Sequence, residues 1–324
     1  MQQNKCGESG SGKFTLQQLF QQSKVIDVEV ISIGMDITCD FANSGLRETM
    51  ILIHRFSKNI LRTKELFAYR SIQMLVSGLV WGSVFCNLKD GLVGAEERVG
   101  LFAFILTFML SSTTEALPIF LQERDIRMKE TSSGSYRVSS YTIANGLVYL
   151  PFLLILAILF AMPLYWLIGL NRNFSAFLYF LMLIWLILYT ANSVVVCFSA
   201  LVPNFIVGNL MIAGVIGSFL LFSGYFVSKH EIPSYWIFMH YISPFKYPFE
   251  GFLIHEFSNS KKCFEYLFGA CMVRGEDILK EAELGGENSR RKNVGLMMGF
   301  ILVSMFISYA ILRYRCSQGV ILKA

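Results

Sequence analysis

Six mostly apolar runs, at roughly 66–88, 99–121, 143–169, 174–200, 205–227 and 293–313, constrain this chain more than any other feature. A membrane-spanning helix needs about 20 predominantly apolar residues, and the runs meet that length. The central four carry almost no charge. Over the 324 residues, 54% are apolar and only 16% charged, whereas soluble domains carry about a quarter charged. The expectation is an all-α polytopic membrane protein with six transmembrane helices, which excludes a soluble enzyme.

The segment ahead of the first run reads differently. Residues 44–64, "SGLRETMILIHRFSKNILRTK", place Leu46, Met50, Ile53, Phe56 and Ile60 on one side of a helix and Arg55, Lys58 and Arg62 on another, with Ser44 as a cap. This is an amphipathic connecting helix. Directly before a spanning run, an interfacial helix on the cytoplasmic leaflet is favoured over a soluble core helix. The organisation is then a polar stub and linker at 1–43, the connecting helix at 44–64, a six-helix domain at 65–316 and a short cytoplasmic tail at 317–324.

Loop charge sets the orientation. Residues 1–40 show no apolar signal core, so the N-terminus is expected in the cytoplasm, and six spans return the C-terminus there. The loop at 122–137 holds four Lys/Arg, against Arg172 alone at 170–173. This follows the positive-inside rule. Arg290, Arg291 and Lys292 run against it, but in a long loop, where the rule is weak.

The outside loop, 228–292, is aromatic but broken by Pro233, Pro244 and Pro248. Short re-entrant helices suit it, with Tyr235, Trp236, Tyr241 and Tyr247 as interfacial anchors. Cys263 and Cys271 lie on this oxidising side, where they form either a bracing disulfide or two unpaired thiols. Within the spans, Arg70 and Glu115 fall at similar depth and either pair or snorkel to the inner interface. No catalytic constellation and no metal-ligand spacing is found. A net charge of +5 without a basic aromatic stripe argues against nucleic acid.

One soluble motif remains. Gly7, Gly10, Gly12 and Lys13 in "CGESGSGKFTLQQLF" fit a phosphate-binding loop, but Phe14 stands where a hydroxyl would hold magnesium. No strand precedes it, and about fifty residues separate it from the first span, too few for an ATPase domain. The loop reads as a non-functional remnant, and the chain alone is not expected to bind a cofactor or hydrolyse ATP.

Four stretches carry a family likeness: "ELFAYRSIQMLVSGLVWGSVF" (65–85), "FLQERDIRMKETSSGSYRVSSY" (120–141), "SALVPNFIVGN" (199–209) and "FSGYFVSKHEIPSYWIFMHYISPFKYPFEGFLIHEF" (222–257). In order, they resemble the membrane domain of G-subfamily ATP-binding cassette half-transporters, the white–brown complex type, and most closely the plant members. The likeness covers about residues 44–316. It implies an ABC-2 type fold and a homo- or heterodimer with another half-transporter in the lipid bilayer, most naturally the plasma membrane. It also implies efflux of an amphipathic or lipidic small molecule, driven by ATP and Mg bound in cytoplasmic domains. By position it implicates Thr107, Leu110, Gly217 and Leu220 in a substrate cavity and Tyr225 and Phe226 in an apolar gate. Glu123, Arg124, Arg127 and Lys129 fall in a coupling helix that senses the ATPase domain.

The likeness also exposes a departure. "GESGSGK" resembles that family's phosphate loop, and "FTLQQLFQQSKVIDVEV" its linker after the whole ATPase domain, yet the two are joined directly. A skipped coding segment, in a splice form or a gene model, is the simplest account. The expected function is a permease part that depends on ATPase domains in a partner chain. The alternative is a truncated, non-transporting isoform that dimerises with full-length half-transporters and dampens them.

Overall fold

The computed structural model describes residues 44–62, 65–86, 91–132, 135–170, 173–227, 231–258, 263–267, 270–275, 279 and 287–321. The glycine loop of Gly7, Gly10, Gly12 and Lys13 lies outside them. Ten α-helices and one hairpin are built from the described residues: α1 Gly45–Arg62, α2 Arg70–Val84, α3 Leu92–Thr113, α4 Leu117–Ser132, α5 Val138–Ile168, α6 Phe174–Leu201, α7 Phe205–Leu221, α8 Ile237–Ile242, α9 Lys246–Phe257, β1 Cys263–Leu267, β2 Ala270–Arg274 and α10 Glu287–Ile321. Four helical stretches are long and apolar enough to cross a membrane: Val93–Thr131, Val138–Ile168, Phe174–Leu201 and Ser289–Arg315. A shorter apolar helix, Phe205–Leu221, accompanies them.

The core centres on α5 and α6. Helices α1, α2, α6 and α10 all pack on α5, and Tyr149, Phe160, Tyr165 and Phe180 are among its largest fully buried side chains. The contact between α2 and α5 is close because α2 offers glycines one turn apart. A Cβ at Gly78 would stand 2.7 Å from the Phe160 carbonyl oxygen, and one at Gly82 would stand 2.8 Å from Leu167 Cδ1. Small residues four apart let two apolar helices approach in a lipid solvent that supplies no hydrophobic drive.

The amphipathic α1 buries only part of the stripe its periodicity suggests, and adds Leu52 to it. Leu52 is buried, and Ile53 and Phe56 partly so, against Tyr136, Tyr141 and Ala144, while Ile60 is buried in the main core. Leu46 and Met50 are exposed. The receiving surface decides this: Phe56 meets Tyr141 edge-on at 5.2 Å, and Glu48 turns inward to accept from Ser140 Oγ at 3.1 Å.

The second apolar run does not end in a loop. Helix α3 passes through one tight turn, Thr114–Ala116, straight into α4, so most of 122–137 is helix. The local chemistry explains the turn. Ser111, Ser112, Thr113 and Thr114 each donate their hydroxyl to a carbonyl three or four residues back, at 2.7–3.1 Å. Such back-bonding bends a helix, and Pro118 then removes the amide that would have bonded Thr114.

At the other end of the bundle, the short helices α8 and α9 close over the core. Phe252 of α9 stacks on Phe102 of α3 at 5.1 Å, and Glu256 pairs with Arg98 at 3.5 Å with both side chains largely buried.

Candidate functional site

Helix α4 is fastened to its surroundings at three points. Arg124, buried, donates from Nη1 to the carbonyls of Ser199 at 3.0 Å and Val202 at 2.5 Å, at the end of α6. A cation there satisfies backbone acceptors that a helix end leaves open. Arg127, also buried, lies 3.9 Å over the Tyr141 ring. Glu130 accepts two bonds from Arg55 of α1, at 3.1 and 2.5 Å, and a third from the Tyr136 hydroxyl at 2.9 Å. Burial first, and then this bond to Glu130, push the Tyr136 phenol well above its ordinary range. A cavity of about 410 Å³ lies between α1 and α4, lined by Arg55, Asn59, Arg62, Glu123, Arg127 and Glu130.

Of the four residues expected to face a partner, Arg124 and Arg127 therefore point inward, Glu123 is half-buried and Lys129 is exposed. The reason is that each buried guanidinium has a better partner inside: two carbonyls for one and an aromatic face for the other. The outward stripe of α4 is Gln122, Asp125, Ile126 and Lys129, spaced to share one face. Arg55, Glu130 and Tyr136 complete the clamp. Nothing in the sequence marks Arg55 and Glu130 as partners, because 75 residues separate them.

The residues nominated for a cavity are split. Thr107 is half-buried, with its hydroxyl returned to the Ala103 carbonyl at 2.9 Å. Leu110 is buried in the core, and Leu220 packs partly against it. Gly217 is exposed, with open space where a side chain would stand. Helix α7 buries only Gly208 and Ile212, so most of its apolar surface, including Ile206, Leu210 and Leu221, is uncovered in a single chain.

The nominated gate follows α7 directly. Gly224 has φ 93°, a left-handed conformation that glycine adopts without strain, and it reverses the chain. The turn is held by the Nδ1–H of His240 on the Phe222 carbonyl at 2.8 Å and by Ser243 Oγ on the Phe219 carbonyl, also at 2.8 Å. Tyr225 and Phe226 then meet edge-on at 4.8 Å. Tyr225 also contacts Phe249 at 5.8 Å, and its hydroxyl lies against Gly100 of α3. His240 and Ser243 are the supports that sequence reasoning did not single out.

Arg70 and Glu115 line one cavity of about 360 Å³ without an ion pair between them among the described residues. Glu115 instead accepts from Gln73 Nε2 at 3.0 Å, while Arg70 is buried rather than extended to the surface. Cys263 and Cys271 lie on β1 and β2, where the backbone register sets Cys263 against Arg274 and Cys271 against Tyr266. Their side chains lie outside what the structure describes.

Long apolar helices, an amphipathic helix clamped to α4 and an aromatic cap define a polytopic helical membrane domain. The chain belongs to the ABC-2 type transporter family, whose model matches residues 47–257. ABC transporter G family member 5 of Arabidopsis thaliana is 74% identical over 312 residues, 96% of this chain and 48% of that protein. Member 23 of the same plant is 46% identical over 273 residues, 84% of this chain and 44% of that protein. ABC transporter G family member STR2 of Petunia hybrida is 37% identical over 275 residues, 85% of this chain and 38% of that protein. The chain spans about half the length, or less, of these curated relatives.

Proposed function

We propose that the chain is the permease part of an ATP-driven exporter of amphipathic or lipidic small molecules and takes its drive from ATPase domains in a partner chain. The observation that carries this reading is the unbroken passage from α3 through its turn into α4. A force applied to the outward stripe of Gln122, Asp125, Ile126 and Lys129 is transmitted along one rigid element toward Thr107. The Arg55–Glu130 clamp makes α1 move with it. In this reading the termini lie in the cytoplasm, the aromatic cap faces outside, and the membrane is the plasma membrane. ATP and Mg bind on the partner, and Tyr225 and Phe226 form a dry gate at the far end.

The cavity is shared between two half-transporters. Gly217 and its neighbours on α7 are open in one chain, and a second copy or a relative supplies the facing wall. An enclosure of Leu, Phe, Thr and Met side chains suits an amphipathic substrate.

The test is ATP hydrolysis by the purified chain in lipid nanodiscs, with Lys13→Ala alongside, then hydrolysis and export after co-expression with a full-length relative. The expected result is no turnover alone, no effect of Lys13→Ala, and export restored by the partner. Magnesium-dependent turnover abolished by Lys13→Ala would overturn partner dependence. Reduced export by the full-length relative would instead establish the dampening isoform.

A further inference from the structure

Three consecutive cations, Arg290, Arg291 and Lys292, lie in the first turns of α10, at the end of the bundle that carries the aromatic cap. The loop-charge rule gives them no role there. The packing of α10 fixes how they are turned. Asn293 faces inward and donates from Nδ2 to Glu250 of α9 at 3.1 Å, and Met297 and Ile301 are buried on the same side. Arg290 is half-buried, 4.0 Å over the Tyr179 ring of α6, and Arg291 is exposed. Between α6 and α10 lies a cavity of about 310 Å³, lined by Tyr179, Met182, Arg290, Arg291 and Val294. Its walls are apolar or aromatic, and both charges on them are positive. Neither arginine has an ion pair among the described residues. Unlike those of Arg70, the nitrogens of Arg290 are not sealed in packing. The ring holds this guanidinium in place and leaves its N–H groups for a ligand. The carboxylates of α9 are engaged elsewhere, Glu250 by Lys246 and Asn293, and Glu256 by Arg98.

Charge and polarity together narrow the ligand. Two guanidiniums select an anion, and phosphate suits the bidentate geometry that they favour. A wholly hydrophilic anion would gain nothing from Tyr179, Met182 and Val294. Below the cavity, Met298 and Leu302 continue the face of Val294 at successive turns, and both are exposed. From Arg290 to Leu302 the helix rises about 18 Å, enough to cross the roughly 15 Å of one leaflet's hydrocarbon. Basic pockets between spanning helices recognise anionic headgroups. We propose that this cavity holds an anionic phospholipid of the leaflet at the cap end. Its phosphate lies on Arg290 and Arg291, its glycerol against Tyr179 and Met182, and one tail along Val294, Met298 and Leu302. The lipid fastens α10 to α6. That span has the most to gain, since 17% of its apolar window is buried within the chain, against 50–61% in the other three. This proposal stands independently of the transport reading.

The test uses the full 324-residue chain, purified in detergent and relipidated with dioleoyl-phosphatidylglycerol, dioleoyl-phosphatidylcholine or dioleoylglycerol, or given glycerol 3-phosphate or inorganic phosphate. Lipid retained in native mass spectrometry and the thermal unfolding midpoint are read for the wild type, Arg290→Gln, Arg291→Gln and Arg313→Gln. Phosphatidylglycerol is expected to remain bound and raise the midpoint, more than phosphatidylcholine and far more than dioleoylglycerol. Arg290→Gln and Arg291→Gln should each weaken that retention by about tenfold, the order expected for losing a charge-assisted hydrogen bond. Arg291 is exposed, so its variant keeps the fold and leaves the idea open to disproof if Arg290→Gln fails to fold. Arg313→Gln removes an exposed cation at the opposite end of the same span and should retain the lipid as the wild type does. Equal losses from Arg291→Gln and Arg313→Gln, or equal retention of the three lipids by the wild type, would overturn the site. A full rise in midpoint with glycerol 3-phosphate or inorganic phosphate would overturn the lipid assignment in favour of a soluble anion.

Discussion

His255 is an imidazole kept neutral by where it sits. It is buried on α9, with ring centroids of Tyr179, Phe180 and Tyr165 at 5.6, 6.2 and 6.3 Å. Arg290 lies 4.0 Å over the Tyr179 ring, and the neighbouring Glu256 is engaged by Arg98. Burial first, then the positive charge of Arg290, lower its pKa from 6.5 to about 4. Between those values the unfolded chain takes up a proton that the folded chain refuses, so stability is lost as pH falls through the window. The loss is at most about 1.4 kcal/mol per pH unit. Thermal unfolding followed from pH 7 to pH 4.5 should show a falling midpoint in the wild type and a shallower fall in His255→Phe. Parallel slopes would show that His255 does not control the acid response. Arg124 makes a second case. Removing it with Arg124→Ala leaves the carbonyls of Ser199 and Val202 without their charged donor, and a loss of about 2–4 kcal/mol is expected in chemical unfolding. The charge of Arg124 is plain in the sequence. Its direction is not, because the carbonyls that turn it inward belong to a helix 75 residues away.

At the scale of elements, four of the six expected spans were legible for a simple reason: lipid demands long apolar helices, and length and polarity are properties of sequence alone; the runs expected at 66–88 and 205–227 instead hold the shorter helices α2, of 15 residues, and α7, of 17. The ends of the spans were less legible. The turn at Thr114–Ala116 comes from hydroxyl back-bonding and Pro118, which act within one helix and leave it unbroken, whereas a change of polarity near residue 121 suggests a loop. Packing partners are further from reach. The spacing of Gly78 and Gly82 marks the face of α2 that is approached closely, but Phe160 and Pro163 as its receivers depend on how α5 returns through the bundle. Side chains added there have nowhere to go, since Pro163 Cγ lies 2.9 Å and Phe160 O 2.7 Å from a Cβ at Gly78. Gly78→Leu should therefore cost about 1–3 kcal/mol or more through overpacking, read as a lower unfolding midpoint in detergent. The same change at Gly214, where nothing lies within 4 Å, should leave the midpoint of the isolated chain unchanged. Equal effects at both positions would show that the α2–α5 contact is not the close one.

Among the described residues, two of the uncovered apolar surfaces, those of α10 and α7, are not equivalent. On α10, Leu302, Val303 and Phe306 stand out as large side chains, which suits fluid lipid tails. On α7, Gly214, Gly217 and Ser218 are exposed beside Leu210 and Leu221. Small residues between large ones make a surface that another helix can approach closely. Helix α7 is also only 17 residues long and buries two of them, so its place in the bundle gains from a second wall. The proposal of a cavity divided between two chains draws on family likeness, not on this chain's residues alone. One chain's residues carry no direct record of what they face across an interface. The arrangement is testable without knowing the substrate. In a cysteine-free background reconstituted into liposomes, Gly217→Cys should form an oxidant-induced disulfide between two copies, seen as a dimer on a non-reducing gel. Phe306→Cys on α10 should remain monomeric. If Gly217→Cys links only when a tagged full-length relative is co-expressed with a cysteine at its matching position, the pairing is heteromeric. If Phe306→Cys links and Gly217→Cys does not, α7 faces lipid, and the shared cavity with its gate at Tyr225 and Phe226 must be abandoned.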